Sequence, residues 1–348
     1  MTFTRSRLNI RDAMRILLGV VLLAAFAAVL THAQQPSTRG RQNAPADGAA
    51  QAQPRKANDG DVHLLRVRGN VSMLVGAGGN ITVQAGEQGI ALVDTGSASA
   101  ADKVAALIRP LSPKPVTYII NTDGAPDHIG GNLAFGTPAA RGAMVNIISY
   151  LSVLDRVSAP VDGKPPAANA GWPNDTYSEA QRNLYFNGEA IQIFHQTGNT
   201  DGNSIVLFRG SDVVSTGDIF DPTQYPVIDL KKGGSIQGEL DALNRLKSSI
   251  LVPELHYEGG TLVIPGHGRL CDAADVAVYQ QMVTIIRDRI QYMIKMGMTL
   301  EQVKAAKLTQ DFDPIYGSNT GNWTTDMFVE AVYNSLKGKL QTSQSRAN

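Results

Sequence analysis

Short apolar runs alternate with polar turns from residue 61 onward, and the spacing of the apolar positions predicts strands before helices. Four early runs are rich in β-branched residues and are bounded by Gly or Asn, which is typical of strands: 63–67, 71–75, 81–84 and 90–93. Over 98–108 the apolar positions Val104 and Ile108 fall on one helical stripe that a proline ends, so a helix is predicted. A buried strand over 116–120 follows.

The same alternation continues to the end of the chain. After a mixed helix and loop segment over 142–173, strands are predicted over 184–194, 204–208, 213–215 and 261–264. Helices are predicted over 236–250, 273–296 and 329–340, and a capping box opens a further helix at 299–302. Strands and helices therefore alternate twice, which predicts an α/β fold with two packed sheets and helices outside them.

Residues 1–33 carry the pattern of a secretory signal peptide. Four arginines precede an unbroken apolar run over 16–30, and Ala33 ends a short sequence with small residues at the positions that a signal peptidase reads. The run is shorter than the roughly 20 residues that a membrane-spanning helix needs. We expect cleavage after Ala33 and export to the periplasm or the extracellular space, with no membrane association afterwards. An uncleaved membrane anchor is the alternative.

Composition and charge set the remaining boundaries. Residues 34–60 are rich in Ala, Gln, Pro and Gly, so a flexible linker is expected there, before a domain over 61–272 and a helical extension over 273–348 packed on it. The formal net charge is zero, and −3 once residues 1–33 are removed, which argues against nucleic-acid binding. The single cysteine, Cys271, excludes an intramolecular disulfide. The sequence leaves the oligomeric state open.

Three polar turns follow apolar strands and hold the residues that are most suited to chemistry. The turns are 121–128, 215–218 and 265–268. Rigid folds present catalytic groups on loops at strand ends, and these turns supply Asp127, His128, Asp218 and His267. Two imidazoles and two carboxylates suit Zn²⁺, Fe²⁺ or Mn²⁺. Spacing alone leaves open that these residues only form turns or cap helices.

The chain resembles the metallo-β-lactamase superfamily over residues 61–272. The resemblance rests on five segments in the right order: 92–96, 118–132, 198–204, 217–218 and 265–268. The second segment is similar to the one that carries the family's His-x-His-x-Asp-His motif, and the third to its Gly-His-Thr turn. This resemblance implies an αββα sandwich with the site along one edge between the sheets, followed here by extra C-terminal helices.

The resemblance also implies two metal positions, of which this sequence keeps one. The histidine positions of the first site hold Asp123, Ala125 and Asn199, so the motif is degenerate. Alanine has no side-chain donor atom, and asparagine offers only a neutral oxygen. The second site is complete, with Asp127, His128 and His267 as ligands and Asp218 in the bridging position. We expect one zinc ion there, with iron or manganese as alternatives and no metal if the protein is inactive.

For function, the resemblance implies an exported metal-dependent hydrolase with a small-molecule substrate. Metal-activated water would attack a lactam, lactone, thioester or phosphoester. Asp123 and Asp127 are the predicted catalytic residues, with Asp123 as the general base. The alternative for Asp123 is a purely structural role in capping its turn. The alternatives for the whole protein are an inactive member that binds a ligand and, less favoured, an iron redox protein.

Three further residues are weaker candidates for the walls of a substrate pocket. Trp172 and Tyr177 share one loop, and packing of that loop on the sheet explains them equally well. His195 alternates with two isoleucines, so a place in the core or the site wall is favoured over metal binding. Asp94 is expected to brace the site turns through backbone hydrogen bonds.

Overall fold

A computed structural model describes residues 61–137, 144–160, 164, 166, 169–251 and 259–347. These residues belong to one compact unit, Pro54–Asn348. The predicted signal peptide and the whole of the predicted linker lie in residues 1–60, which are outside the described residues. Among the described helices, none is both long enough and apolar enough to cross a membrane.

Seven strands form the first sheet, in the order in which they occur along the chain. They are β1 (His63–Arg68), β2 (Val71–Ala77), β3 (Gly79–Gly86), β4 (Gly89–Val93), β5 (Val116–Ile120), β6 (Asn146–Tyr150) and β7 (Asp175–Tyr177). The strands from β1 to β4 pair antiparallel, and those from β4 to β7 pair parallel. Parallel neighbours need crossover connections, which here contain α1 (Ala101–Ile108), α2 (Pro126–Ile129), α3 (Asn132–Gly136) and α4 (Leu151–Val157).

Five strands form the second sheet, in the spatial order β12-β11-β10-β9-β8. They are β8 (Gln181–Phe186), β9 (Glu189–Gln196), β10 (Asn203–Phe208), β11 (Val213–Gly217) and β12 (Leu262–Pro265). Only β11 and β12 pair parallel in this sheet. The connection between them contains α5 (Ile236–Arg245), which continues as a π-helical turn, Leu246–Ile250. The chain ends with α6 (Ala273–Lys295), α7 (Leu300–Ala305), α8 (Asp313–Tyr316) and α9 (Thr325–Ala347).

Apolar side chains form three buried layers that define the sandwich. The inner faces of the two sheets meet in one layer, which includes Val93, Ile120, Ile193 and Ile264. Val104 of α1 belongs to the layer that covers the outer face of the first sheet. Helices α5 to α9 cover the outer face of the second sheet in the third layer. Because each sheet buries both faces, the predicted αββα arrangement with extra C-terminal helices is confirmed.

The strand predicted over 184–194 is two strands. β8 and β9 form a hairpin that is closed by Asn187 and Gly188, whose φ angles are 49° and 84°. Asn-Gly is the pair that such a two-residue turn favours most, because both positions need positive φ. The segment 142–173, predicted as helix and loop, also contains the strand β6. In both cases a short local signal was masked by the apolar run around it.

Candidate metal centre

The candidate site lies along one edge of the sandwich, where turns from both sheets meet. The segment after β5, in the first sheet, carries Asp123 in a turn and Asp127 and His128 in the short helix α2. Asp218 follows β11 and His267 follows β12, which are parallel neighbours in the second sheet. The carboxyl ends of parallel strands lie at the same edge of a sheet, so the fold places these turns side by side.

Short distances join the four predicted metal ligands. Nε2 of His128 lies 3.1 Å from Oδ1 of Asp218, and Nδ1 of His267 lies 3.2 Å from the same oxygen. Nε2 of His267 donates a hydrogen bond of 3.0 Å to Oδ2 of Asp127. The centroids of the two imidazole rings are 5.8 Å apart. The structure therefore brings together the residues that the sequence assigned to the second metal position.

Three atoms of this group are buried without a hydrogen-bond partner: His128 Nε2, Asp218 Oδ1 and His267 Nδ1. They lie 3.1 and 3.2 Å apart, but their orientation is not that of hydrogen bonds. Neighbouring ligands of a tetrahedral zinc ion are separated by roughly 3.3 Å, given metal–ligand distances of about 2.0–2.2 Å. Buried polar atoms normally have partners, so the 3.1 Å spacing of His128 Nε2 and Asp218 Oδ1 fits a shared divalent cation. Imidazoles and carboxylates are donors that zinc, iron and manganese all accept.

Asp94 holds the ring of His128 in place. It follows β4 with a φ of 62°, a left-handed conformation that aspartate adopts more readily than most residues other than glycine. Its Oδ1 accepts a hydrogen bond of 2.7 Å from the backbone of Thr122, which confirms the predicted bracing of the turn. Its Oδ2 accepts hydrogen bonds from Thr122 Oγ1 at 2.6 Å and from His128 Nδ1 at 2.7 Å. In the neutral imidazole Nδ1 therefore carries the proton, which leaves the lone pair of Nε2 for the candidate metal position.

Asp123 and Asn199, two of the degenerate first-site residues, lie beside the predicted ligands. Oδ1 of the buried Asp123 accepts a hydrogen bond of 2.8 Å from the backbone N–H of Ala125. Its Oδ2 accepts a longer one of 3.4 Å from Nδ2 of Asn199. A carboxylate oxygen of Asp123 also lies within 4.8 Å of ligand atoms of His128 and Asp218. The Asp123 carboxylate is therefore fixed next to the place where a cation fits.

Burial and mutual charge shift the pKa values of the site. Burial raises the pKa of Asp123. Burial also opposes the charged form of His128, but the carboxylates of Asp123 and Asp218 outweigh it and hold the pKa of His128 well above its usual value. At His267 burial is likewise outweighed by the hydrogen bond to Asp127 and by the nearby carboxylate of Asp218, which raise the pKa to about 10. The carboxylates thus favour positive charge at this edge, whether protons or a divalent cation.

Known proteins share both sequence features and fold with this chain. A family model of the metallo-beta-lactamase superfamily matches residues 74–267, which is more than half of the chain. The protein belongs to this superfamily. The matched range includes all of the residues assigned to the second metal position, from Asp127 to His267. No curated protein sequence matches the chain.

Solved structures share the fold of this superfamily member at low sequence identity. The stereoselective inverting sec-alkylsulfatase Pisa1 from Pseudomonas sp. is 16% identical with a TM-score of 0.58, and a double mutant of the sec-alkyl sulfatase PisA1 is 15% identical with a TM-score of 0.62. Both matches cover 78% of this chain and 50% of the other, so the chain spans half the length of these sulfatases. A metallo-beta-lactamase from Pontibacter korlensis is 15% identical with a TM-score of 0.52, covering 64% of this chain and 99% of that one.

Two buried carboxyl groups near the site of this superfamily member were not predicted from its sequence. Oδ2 of Asp221 lies 3.6 Å from Nδ1 of His267. Glu239, on α5, is fully buried, and a Cβ atom on Gly198 would lie 2.6 Å from its Oε2. Burial raises the pKa of Asp221 and raises that of Glu239 well above its usual value. The position of Asp221 three residues after Asp218 was a usable signal, whereas nothing in the sequence around Glu239 points to the site.

The three weaker pocket candidates have structural partners. The hydroxyl of Tyr177 shares a hydrogen bond of 2.7 Å with Ser204 Oγ, in the layer between the sheets. Nε2 of the half-buried His195 is hydrogen-bonded to the backbone oxygen of Asp201 at 2.8 Å. Trp172 is half-buried in the loop before β7. The predicted role of these residues in lining a substrate pocket stays a prediction.

Proposed function

We propose that the protein is an exported hydrolase that uses one divalent cation, zinc first, to cleave a small molecule. The observation that carries this proposal is the convergence of Asp127, His128, Asp218 and His267, with buried atoms that lack other partners. A cation held there supplies Lewis acidity, which polarises the bond under attack and acidifies water. Iron and manganese accept the same donors and are the alternatives.

Asp123 is proposed to take the proton from the attacking water. Its carboxylate is held by the hydrogen bonds from Ala125 and Asn199, so it is oriented before a substrate arrives. Burial raises its pKa, and a general base is most effective when its pKa approaches the working pH. Asp127 belongs to the catalytic set because it orients His267 and completes the ligand group.

The proposed substrates contain a lactam, lactone, thioester or phosphoester group. Alkyl sulfates are added to this range, because two solved structures with a similar fold are of one sec-alkylsulfatase. A screen of one compound from each class covers the range, and each compound is first tested with zinc, iron and manganese.

Metal content tests the candidate site directly. The mature protein is produced without chelators and analysed by mass spectrometry beside His267→Ala. We expect about one equivalent of metal in the wild type and none in the variant. His63→Ala, which removes an exposed histidine of β1, is the control and should keep its metal. A wild type that takes up no zinc, iron or manganese would contradict the proposal.

Turnover tests the role of Asp123. With any substrate that the wild type cleaves, Asp123→Asn should lower kcat by about 10²–10⁴-fold while metal content is unchanged. Unchanged turnover would show that Asp123 only caps its turn. If metal binds but every substrate class is inert, the protein is an inactive binding member, which the loss of imidazoles at Ala125 and Asn199 favours.

Export is tested on the full-length chain. Expression in a bacterium with an outer membrane, followed by N-terminal sequencing of the periplasmic protein, should give Gln34 as the first residue. Recovery of an intact N-terminus in the membrane fraction would show that residues 16–30 act as an anchor.

A further inference from the structure

Asp221 is a buried carboxylate beside the candidate metal site, and the proposed reaction assigns it no role. Only 3% of the residue is exposed. Its Oδ2 lies 3.6 Å from Nδ1 of His267, which makes an ion pair but is too long for a hydrogen bond. A carboxylate that is removed from water needs compensating partners, so its place next to an imidazole requires an explanation.

Three hydrogen bonds fix the Asp221 carboxylate in one orientation. Oδ1 accepts from the backbone N–H of Thr223 at 2.8 Å and from its hydroxyl at 2.6 Å. Oδ2 accepts from Nε2 of Gln224 at 2.9 Å. All three donors lie in the turn that follows Asp221, so its own segment orients the carboxylate independently of His267.

The two nitrogens of His267 face different surroundings. Nε2 faces Asp127, which is one of the predicted metal ligands. Nδ1 faces Oδ1 of Asp218 at 3.2 Å, without hydrogen-bond geometry, and Oδ2 of Asp221 at 3.6 Å. Under the proposed function the oxygen of Asp218 is a metal ligand. Asp221 is then the other carboxylate that faces a proton on Nδ1, at ion-pair distance.

We propose that Asp221 is a positioning residue that keeps the proton of His267 on Nδ1 and so directs the lone pair of Nε2 to the cation. This inference rests on the proposed function, since it concerns the same metal. The arrangement is a longer version of the one at the other imidazole, where Asp94 accepts the Nδ1 proton of His128 at 2.7 Å. A carboxylate behind a metal-binding imidazole fixes the ring and its tautomer and makes the nitrogen that faces the metal more basic.

The variant Asp221→Asn tests this arrangement with little change in shape. An amide that keeps its oxygen toward Thr223 presents an NH₂ group to His267, which favours an unprotonated Nδ1 and a proton on Nε2. We expect the variant to bind zinc about 10–100-fold more weakly than the wild type. Thr223→Val, which removes one hydrogen bond to Asp221 and keeps the carboxylate, should weaken zinc binding in the same direction but less.

Asp212→Asn is the matched control. Asp212 is also a buried aspartate, but it precedes β11 at the opposite end from Asp218, and its partners are Arg68 and Thr261. Its φ of 52° suits asparagine as well as aspartate. The control therefore loses a buried charge away from the site and should bind zinc as tightly as the wild type.

Zinc affinity is measured by competition with a chelator, and nitrogen NMR of the zinc-bound protein shows which nitrogen of His267 carries the proton. We expect a proton on Nδ1 of His267 in the wild type. Of the two aspartate variants, Asp221→Asn should bind zinc more weakly and Asp212→Asn should not. Equal affinity of Asp221→Asn and the wild type overturns the inference, and so does an equal loss in Asp212→Asn. Absence of zinc binding in the wild type instead overturns the proposed function and this inference with it.

Discussion

The side chain of Glu239 is fully buried on α5, and neither of its carboxyl oxygens has a hydrogen-bond partner among the described residues. Burial raises its pKa well above 4.5, the value for an exposed glutamate. Above that pH the group is ionised in the unfolded chain but must hold a proton in the folded one. Folding then takes up a proton, and its free energy becomes less favourable as the pH rises.

Replacement of Glu239 with glutamine should therefore stabilise the protein by an amount that grows with pH. Starting near pH 4.5, the advantage of Glu239→Gln over the wild type should increase by up to about 1.4 kcal/mol per pH unit. Urea unfolding across this pH range measures the difference. Glu87→Gln, in an exposed turn, is the control and should show no such trend. A constant difference at all pH values would mean that Glu239 ionises normally.

Residues in short motifs after strands could be predicted from the sequence, and isolated ones could not. Asp127 and His128 occupy one turn, and Asp218 and His267 each follow a strand, so their meeting at one edge follows from the fold. Glu239 lies in the middle of a helix with an ordinary amphipathic pattern. Its proximity to Gly198 arises only when α5 packs against the second sheet. A contact of this kind cannot be predicted from the local sequence pattern.

The start of α7 contains a local sequence signal that the structure confirms. Thr299 Oγ1 accepts a hydrogen bond of 3.3 Å from the backbone N–H of Gln302, and Gln302 Oε1 accepts one of 2.8 Å from the backbone N–H of Thr299. This is the predicted capping box, and it satisfies two backbone donors that the helix leaves unpaired.

Loss of this cap should cost a measurable part of the global stability. We expect Thr299→Ala to lower the free energy of unfolding by about 1 kcal/mol. Thr299→Ser keeps the hydroxyl and should differ little from the wild type. Thermal and urea unfolding of the three proteins provide the comparison, and equal losses in both variants would assign the effect to packing of the threonine methyl group.

Elements with their own boundary signals were predicted well. The strand over 116–120 matches β5, and the helix predicted over 273–296 ends one residue after α6. The hairpin of β8 and β9 was missed, because the apolar alternation runs on both sides of Asn187 and Gly188. The same holds for β6, which passes directly into α4 without a polar break.

The protonated imidazoles at the candidate metal site make the stability of the whole molecule depend on pH. In the metal-free protein His267 has a pKa of about 10 instead of 6.5, and the pKa of His128 is shifted in the same direction. A raised imidazole pKa stabilises the fold fully below the unfolded value of 6.5. This stabilisation is lost as the pH rises toward the folded value, because the protons leave the folded state last.

The metal-free protein should therefore lose stability between pH 6.5 and about 10. Urea unfolding in the presence of a chelator measures this loss, and His267→Ala should show a flatter profile. Zinc competes with the same protons for the imidazoles, so its apparent affinity should increase with pH over the same range. A metal-free wild type whose stability is independent of pH there would contradict the assigned charge states.

The candidate ligands come from both sheets, and Asp127 and His267 are 140 positions apart in the chain. A cation bound by both is a reversible cross-link across the open edge of the sandwich. At a free concentration of 100 times its Kd, a ligand that binds only the folded state stabilises it by about 2.7 kcal/mol. The fraction of molecules in which the two sheets separate at this edge then decreases as the free metal concentration increases. For the exported metalloprotein proposed here, the metal content of the surroundings would then set how long the protein resists proteases.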